Sequence, residues 1–163
     1  MTIRILAGMV LCISIAASAQ ATETIDRGEY LATIMDCGGC HTAGALAGQP
    51  NPALHLAGSS IGFELPGLGI FYPPNLTPDH DTGLGSWTEA DIVKVLRTGI
   101  RPDGRELAPV MPWRSYSKLS ESDMRALAGY LKNLKPVSNP VPHIAASGDT
   151  AAGPYLTVAL PKK

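Results

Sequence analysis

Cys37-Gly38-Gly39-Cys40-His41 is the stretch on which the fold turns. It has the form C-x-x-C-H, the pattern by which a chain attaches c-type haem. Thiols at this spacing can reach the two vinyl groups on neighbouring edges of a porphyrin and form thioethers. The next residue, His41, then lies under the ring and turns an imidazole nitrogen toward the iron. The two intervening glycines let the backbone pass close to the ring. Two other uses of the motif fit less well. A structural zinc site wants a second pair of Cys or His ligands, and no such pair follows. A thioredoxin-type redox pair wants a strand before it and a helix after it, whereas the preceding segment reads as helical.

Upstream of the motif, residues 1–21 have the anatomy of an export signal. Arg4 is followed by an apolar run from Ile5 to Ala17 and then by small residues, with cleavage expected after Ala19 or Ala21. The run is shorter than the ~20 apolar residues a bilayer span needs. Leu11 before Cys12 is not the small residue of a lipoprotein signal. Removing the leader takes Cys12 away and leaves Cys37 and Cys40 as the only cysteines. A bridge between them would close almost no loop, so a disulfide framework is not their use. The expected location is the periplasm, and no later stretch is long and apolar enough to make a transmembrane segment.

The 163 residues fit one domain with a tail. Thirteen basic against fourteen acidic residues exclude an electrostatic nucleic-acid binder, which needs a cationic surplus. Seventeen Gly and fourteen Pro mean that much of the chain is loop. Two Phe and two Trp are few for a core of this size. A buried porphyrin would supply the missing flat apolar body.

Three helices can be read around the motif. The first spans Asp26 to Asp36, with Gly28, Leu31, Ala32 and Met35 at helical spacing. The second starts at Trp87, with Thr88-Glu89-Ala90-Asp91 as a capping box, Ile92, Val95 and Leu96 as its apolar face and Gly99 as its stop. The third is capped by Ser120-Glu121-Ser122-Asp123, carries Met124, Leu127, Ala128, Leu131 and Leu134, and stops by Pro136. No stretch alternates with period two, so the expected class is all-α, with long loops wrapped around one covalent haem. The connection of roughly fifty residues between the first two helices is long, and wrapping a porphyrin edge would explain it. The expected units are the leader 1–21, a domain over 22–136, and a proline-rich tail over 137–163. That tail is extended and either surface-bound or mobile.

Iron held by one histidine takes a second ligand in an electron carrier and keeps an open face in ligand chemistry. Past the leader the methionines are Met35, Met111 and Met124. Met35 is too near Cys37 to reach the far face, and Met124 lies on the buried stripe of the third helix. Met111 sits in Ala108-Pro109-Val110-Met111-Pro112-Trp113, where prolines fix φ and remove backbone donors. Such a stiff, distant segment can carry a thioether across the ring, so His41 and Met111 are the expected iron ligands. His55, His80 and His143 read as solvated loop imidazoles. Candidate donors to the propionates are Arg97, Arg101, Arg105, Trp113, Arg114 and Asn75, each of which also reads as a solvated surface group. Asp79, Asp81 and Thr82 read as a turn rather than a calcium loop.

With this motif, this methionine and a helix on each side, the chain resembles class I c-type cytochromes. In that family the first and last helices cross closely, which suits Gly28 and Tyr130. Gly28-Glu29-Tyr30-Leu31-Ala32, Tyr72-Pro73-Pro74-Asn75-Leu76-Thr77-Pro78-Asp79, Thr82-Gly83-Leu84-Gly85-Ser86-Trp87-Thr88 and Leu96-Arg97-Thr98-Gly99-Ile100-Arg101-Pro102-Asp103-Gly104 narrow the likeness. They are similar to one haem module of the cytochrome subunits of periplasmic alcohol, aldehyde and nicotinate dehydrogenases. Those subunits usually carry three attachment motifs, and this chain carries one. The resemblance implies a non-enzymatic electron carrier between a dehydrogenase or upstream complex and a downstream cytochrome or oxidase, either freestanding or as a subunit of a dehydrogenase complex, and the single motif implies one haem. A haem enzyme or gas sensor with an open distal face is the alternative.

Overall fold

The computed structural model describes residues 24–159 and residue 161. The expected leader lies outside them. The chain enters through a helix over residues 24–34, α1, which buries Leu31 and Ala32 and leaves Tyr30 and Ile34 exposed. Asp36 then takes a left-handed conformation, φ 53°, and turns the chain into the short helix α2, Cys37–His41. The Asp36 carboxylate folds over Gly39, where a Cβ would have to push it aside.

Helix α3 spans Glu89–Thr98, two residues later than Trp87, because Thr88 is its cap. The Thr88 hydroxyl accepts from the Asp91 N–H at 3.1 Å and the Asp91 carboxylate accepts from the Thr88 N–H at 2.9 Å, a closed capping box. Gly99 ends the helix at φ 72°, a left-handed conformation in which a side chain would be strained. After the one-turn helix α4, Trp113–Tyr116, helix α5 runs Glu121–Asn133 and is capped by Ser120, whose hydroxyl accepts from the Asp123 N–H at 3.1 Å.

The expected stripe on α5 forms the centre of the core. Met124, Leu127, Ala128 and Leu131 are buried there with Ile92 and Leu96 of α3, Ala32 of α1, and Leu56 and Leu84 from the loops. Each fully buried Leu or Met in such a cluster contributes about 1.5–3 kcal/mol. Leu134 packs against the edge of this cluster. Helix α1 crosses α5 where a Cβ on Gly28 would meet the Ala126 carbonyl oxygen and the Tyr130 Cβ. The Arg27 guanidinium bonds the Asp123 carboxylate at 2.9 Å beside the crossing.

The long connection departs from expectation in having regular structure. It contains 3-10 turns at Ala45–Ala47 and Pro52–Leu54 and a hairpin of β1, Gly62–Leu65, and β2, Gly69–Phe71. The antiparallel register pairs Phe63 with Phe71 and Glu64 with Ile70. A third strand, β3, Tyr155–Leu156, joins β1 in parallel and gives the order β2-β1-β3. The domain is still mainly helical; the sheet is an addition to it. Strands this short show too few alternations for a period to register, and their partner β3 lies some ninety residues away in sequence, out of reach of any local pattern.

Candidate haem site

Helix α2, the loop before α4, the hairpin and the inner faces of α3 and α5 surround one cleft. Its volume is about 1320 Å³, counted with its open mouth, and its lining is overwhelmingly apolar. Cys37, Cys40 and His41 line it, and so does Met111, seventy residues further along the chain. Leu76, Trp87, Ile92, Val95, Leu127 and Leu131 present the core to it. Both phenylalanines of the chain, Phe63 and Phe71, are in its wall.

His41 is buried, and its Nδ1 lies 2.8 Å from the Pro74 carbonyl oxygen. A carbonyl can only accept, so Nδ1 carries the proton and donates it. Nε2 is therefore the nitrogen with the free lone pair, the tautomer a metal-ligating histidine needs. Burial pushes the imidazole pKa below its ordinary value and so favours the neutral ring, and the Pro74 bond offsets this only in part.

The two cysteines form no disulfide. Burial, more than any nearby charge, pushes the Cys37 thiol up to about 11 and raises Cys40 as well. Both stay protonated at neutral pH. Thiolate chemistry of the thioredoxin type wants the opposite shift. Among the described residues, no three His, Cys, Asp or Glu side chains are grouped to hold a metal ion, as a zinc site would require.

Of the six propionate donors expected, two line the cleft. Arg101 stacks over the Trp87 ring at 5.0 Å and bonds Asp103 at 3.1 Å. Arg105 has its pKa lowered, first by burial and then by the neighbouring Arg101 charge. Two cations held together against an apolar cavity favour an anionic guest. The others have different partners. Asn75 spends its amide on Thr82 and Val137, and its oxygen accepts from Thr77. Arg97 pairs with Glu121, and Arg114 pairs with Glu106. Trp113 is outside the lining, although its buried indole N–H has no partner among the described residues.

Met35 also lines the cleft, and its carbonyl accepts from the Tyr116 hydroxyl at 2.9 Å. Burial pushes that phenol up to about 12. Met124 is fully buried in the core, and His55, His80 and His143 are exposed. Tyr116 and the phenylalanine pair carry no signal that a local reading could find, because their neighbours come from distant parts of the chain. The whole set fits a haem: an apolar cleft, two thiols and a neutral imidazole with Nε2 free in its lining, and cations for the carboxylates.

Sequence comparison decides the family. The profile described as Cytochrome c matches residues 25–135. The chain belongs to the cytochrome c family. As a member of that family it is a haem- and iron-binding electron-transport protein, and membership implies covalently bound haem c. The cytochrome is 42% identical over 136 residues to the alcohol dehydrogenase (quinone) cytochrome c subunit of Gluconobacter oxydans, which covers 80% of this chain and 26% of that one. It is 40% identical over 121 residues to the fructose dehydrogenase cytochrome subunit of Gluconobacter japonicus, covering 73% and 23%. A diheme cytochrome c-type of Cereibacter sphaeroides is 32% identical over 118 residues, covering 72% and 38%. The cytochrome thus spans about a quarter of the length of the two dehydrogenase subunits and less than two fifths of the diheme protein. Among the described residues no helix is long and apolar enough to cross a membrane.

Proposed function

We propose that this chain is a monohaem c-type cytochrome that carries single electrons in the periplasm from a dehydrogenase or upstream complex to another cytochrome or an oxidase. In this reading the leader 1–21 is removed, residues 22–136 form the haem domain and residues 137–163 form the tail. Cys37 and Cys40 make the thioethers, and His41 and Met111 ligate iron. The observation that carries it is the meeting of the attachment motif and Met111 in the lining of one apolar cleft.

Bound there, a haem supplies one-electron iron chemistry, and the residues set its terms. Pro74 holds the His41 ring so that only Nε2 is offered. A thioether as second ligand raises the potential and leaves no vacancy for oxygen or peroxide. Arg101 and Arg105, which line the cleft, would neutralise the propionates, and its apolar walls would keep water from the ring. Val110 and Ile144 line the cleft while remaining 40% and 47% exposed, so they form an apolar rim at its mouth. A redox partner would touch this rim in a small, transient contact. With iron held by His41 and Met111, the chain alone is read as a carrier rather than an enzyme, a reading supported by relatives named as cytochrome subunits of dehydrogenases. The names of the two dehydrogenase subunits support a dehydrogenase as the donor.

The test is a redox titration of the matured protein with carbon monoxide added to its reduced form. The expected result is one one-electron transition and a reduced spectrum that carbon monoxide leaves unchanged. Rapid stoichiometric binding of the gas would favour the open-face alternative.

A further inference from the structure

The tail does more than follow the helical domain. Residues beyond Pro136 return across the molecule and bracket the hairpin on both edges. On the β2 side, Ile70 and Ala145 exchange two backbone bonds, 2.8 and 3.1 Å. On the β1 side, the Gly62 N–H donates to the Pro154 carbonyl at 2.9 Å, and Tyr155–Leu156 continue the sheet. Between these two anchors Tyr72 reaches the tail: its hydroxyl donates to the Gly153 carbonyl at 2.8 Å and accepts from the Gly153 N–H at 3.2 Å. Ile70, Tyr72 and Ala145 are buried together, with Ala151 and Tyr155 against them. This second small core is made only of hairpin and tail residues, and it is separate from the helical core.

The hairpin so held is the one whose cross-strand pair, Phe63 and Phe71, walls the cleft. Tyr72 and Ile144 line the same cleft. An isolated two-stranded hairpin is marginal in water, and its open edges invite pairing. Without the tail this wall would have neither edge satisfied.

We propose that residues 142–156 are a strap, pinned by Tyr72, that holds the phenylalanine hairpin as a wall of the haem cleft and keeps water from the haem edge. Tyr72 is thus a positioning residue. The inference rests on the haem reading above and adds to it a role for chain beyond the region matched to the family. Excluding water disfavours the more highly charged oxidised iron, so the strap raises the potential.

Two variants of the matured holoprotein test this: a chain ending at Pro142, and Tyr72→Phe, which loses one hydroxyl and keeps the ring. Amide hydrogen exchange at Gly62 and Ile70 and the midpoint potential are read together. In the shortened chain both amides are expected to exchange at least tenfold faster and the potential to fall. Tyr72→Phe is expected to shift both readouts the same way by less, and it decides the matter if the shortened chain does not fold. Faster exchange with an unchanged potential would overturn the link to the haem. A coloured parent whose variants match it in both readouts overturns the strap alone, whereas a colourless parent overturns the haem reading and the strap with it.

Discussion

Replacing Met111 with alanine is expected to abolish the weak long-wavelength absorbance band that sulfur–iron bonding gives the oxidised protein, while leaving the pigment attached. Cys37, Cys40 and His41 are untouched by the change, so covalent binding and the imidazole ligand remain. The sixth position is then left to water or to an added ligand. The reduced variant should bind carbon monoxide stoichiometrically, and its potential should fall well below that of the parent, since a thioether ligand favours the reduced iron. The fold should survive. Met111 is partly exposed in a loop, with backbone bonds to Ala108 and Trp113 that do not involve its side chain. An unchanged band in Met111→Ala would remove it from the ligand set.

Gly28→Ala is expected to destabilise the protein by about 2–3 kcal/mol, although alanine is the better helix former by ~1 kcal/mol. The clash outweighs propensity here because a Cβ at residue 28 runs into the Ala126 carbonyl oxygen. That atom belongs to the backbone of α5 and cannot swing aside, so the two helices must separate and loosen the core between them. Gly129→Ala, on α5 itself, makes the matching control. A Cβ there comes no nearer than 3.8 Å to Ile25 and 3.9 Å to Glu89, which is ordinary contact. That variant should be neutral or more stable by up to ~1 kcal/mol. Urea unfolding midpoints of the three holoproteins check the pair, and equal midpoints for Gly28→Ala and the parent would contradict the close crossing.

These contrasts show which parts of the molecule can be read along the chain. The caps are local: Thr88 and Asp91, Ser120 and Asp123, and Gly99 lie within a turn of the groups they satisfy. The stripe on α5 repeats often enough to be seen. The attachment motif is five consecutive residues, and the Met111 segment stands out because prolines bracket it. The hairpin was not legible, because β1 has four residues and β2 three, and both outer edges are completed from residues 145 and 154–156. Nor could the sequence separate Arg101 and Arg105 from the four other candidates. An arginine looks the same in sequence whether it faces a cleft, as Arg101 and Arg105 do, or an exposed glutamate, as Arg97 and Arg114 do. The Pro74 carbonyl that fixes the His41 tautomer is a backbone atom, and no residue type announces it.

The intact mass of the matured protein, taken after extraction with acidified acetone, tests the central claim most directly. The account predicts the leader-free chain plus one haem, with the colour staying in the protein pellet. The mass of the bare polypeptide, with pigment carried into the acetone, would contradict it.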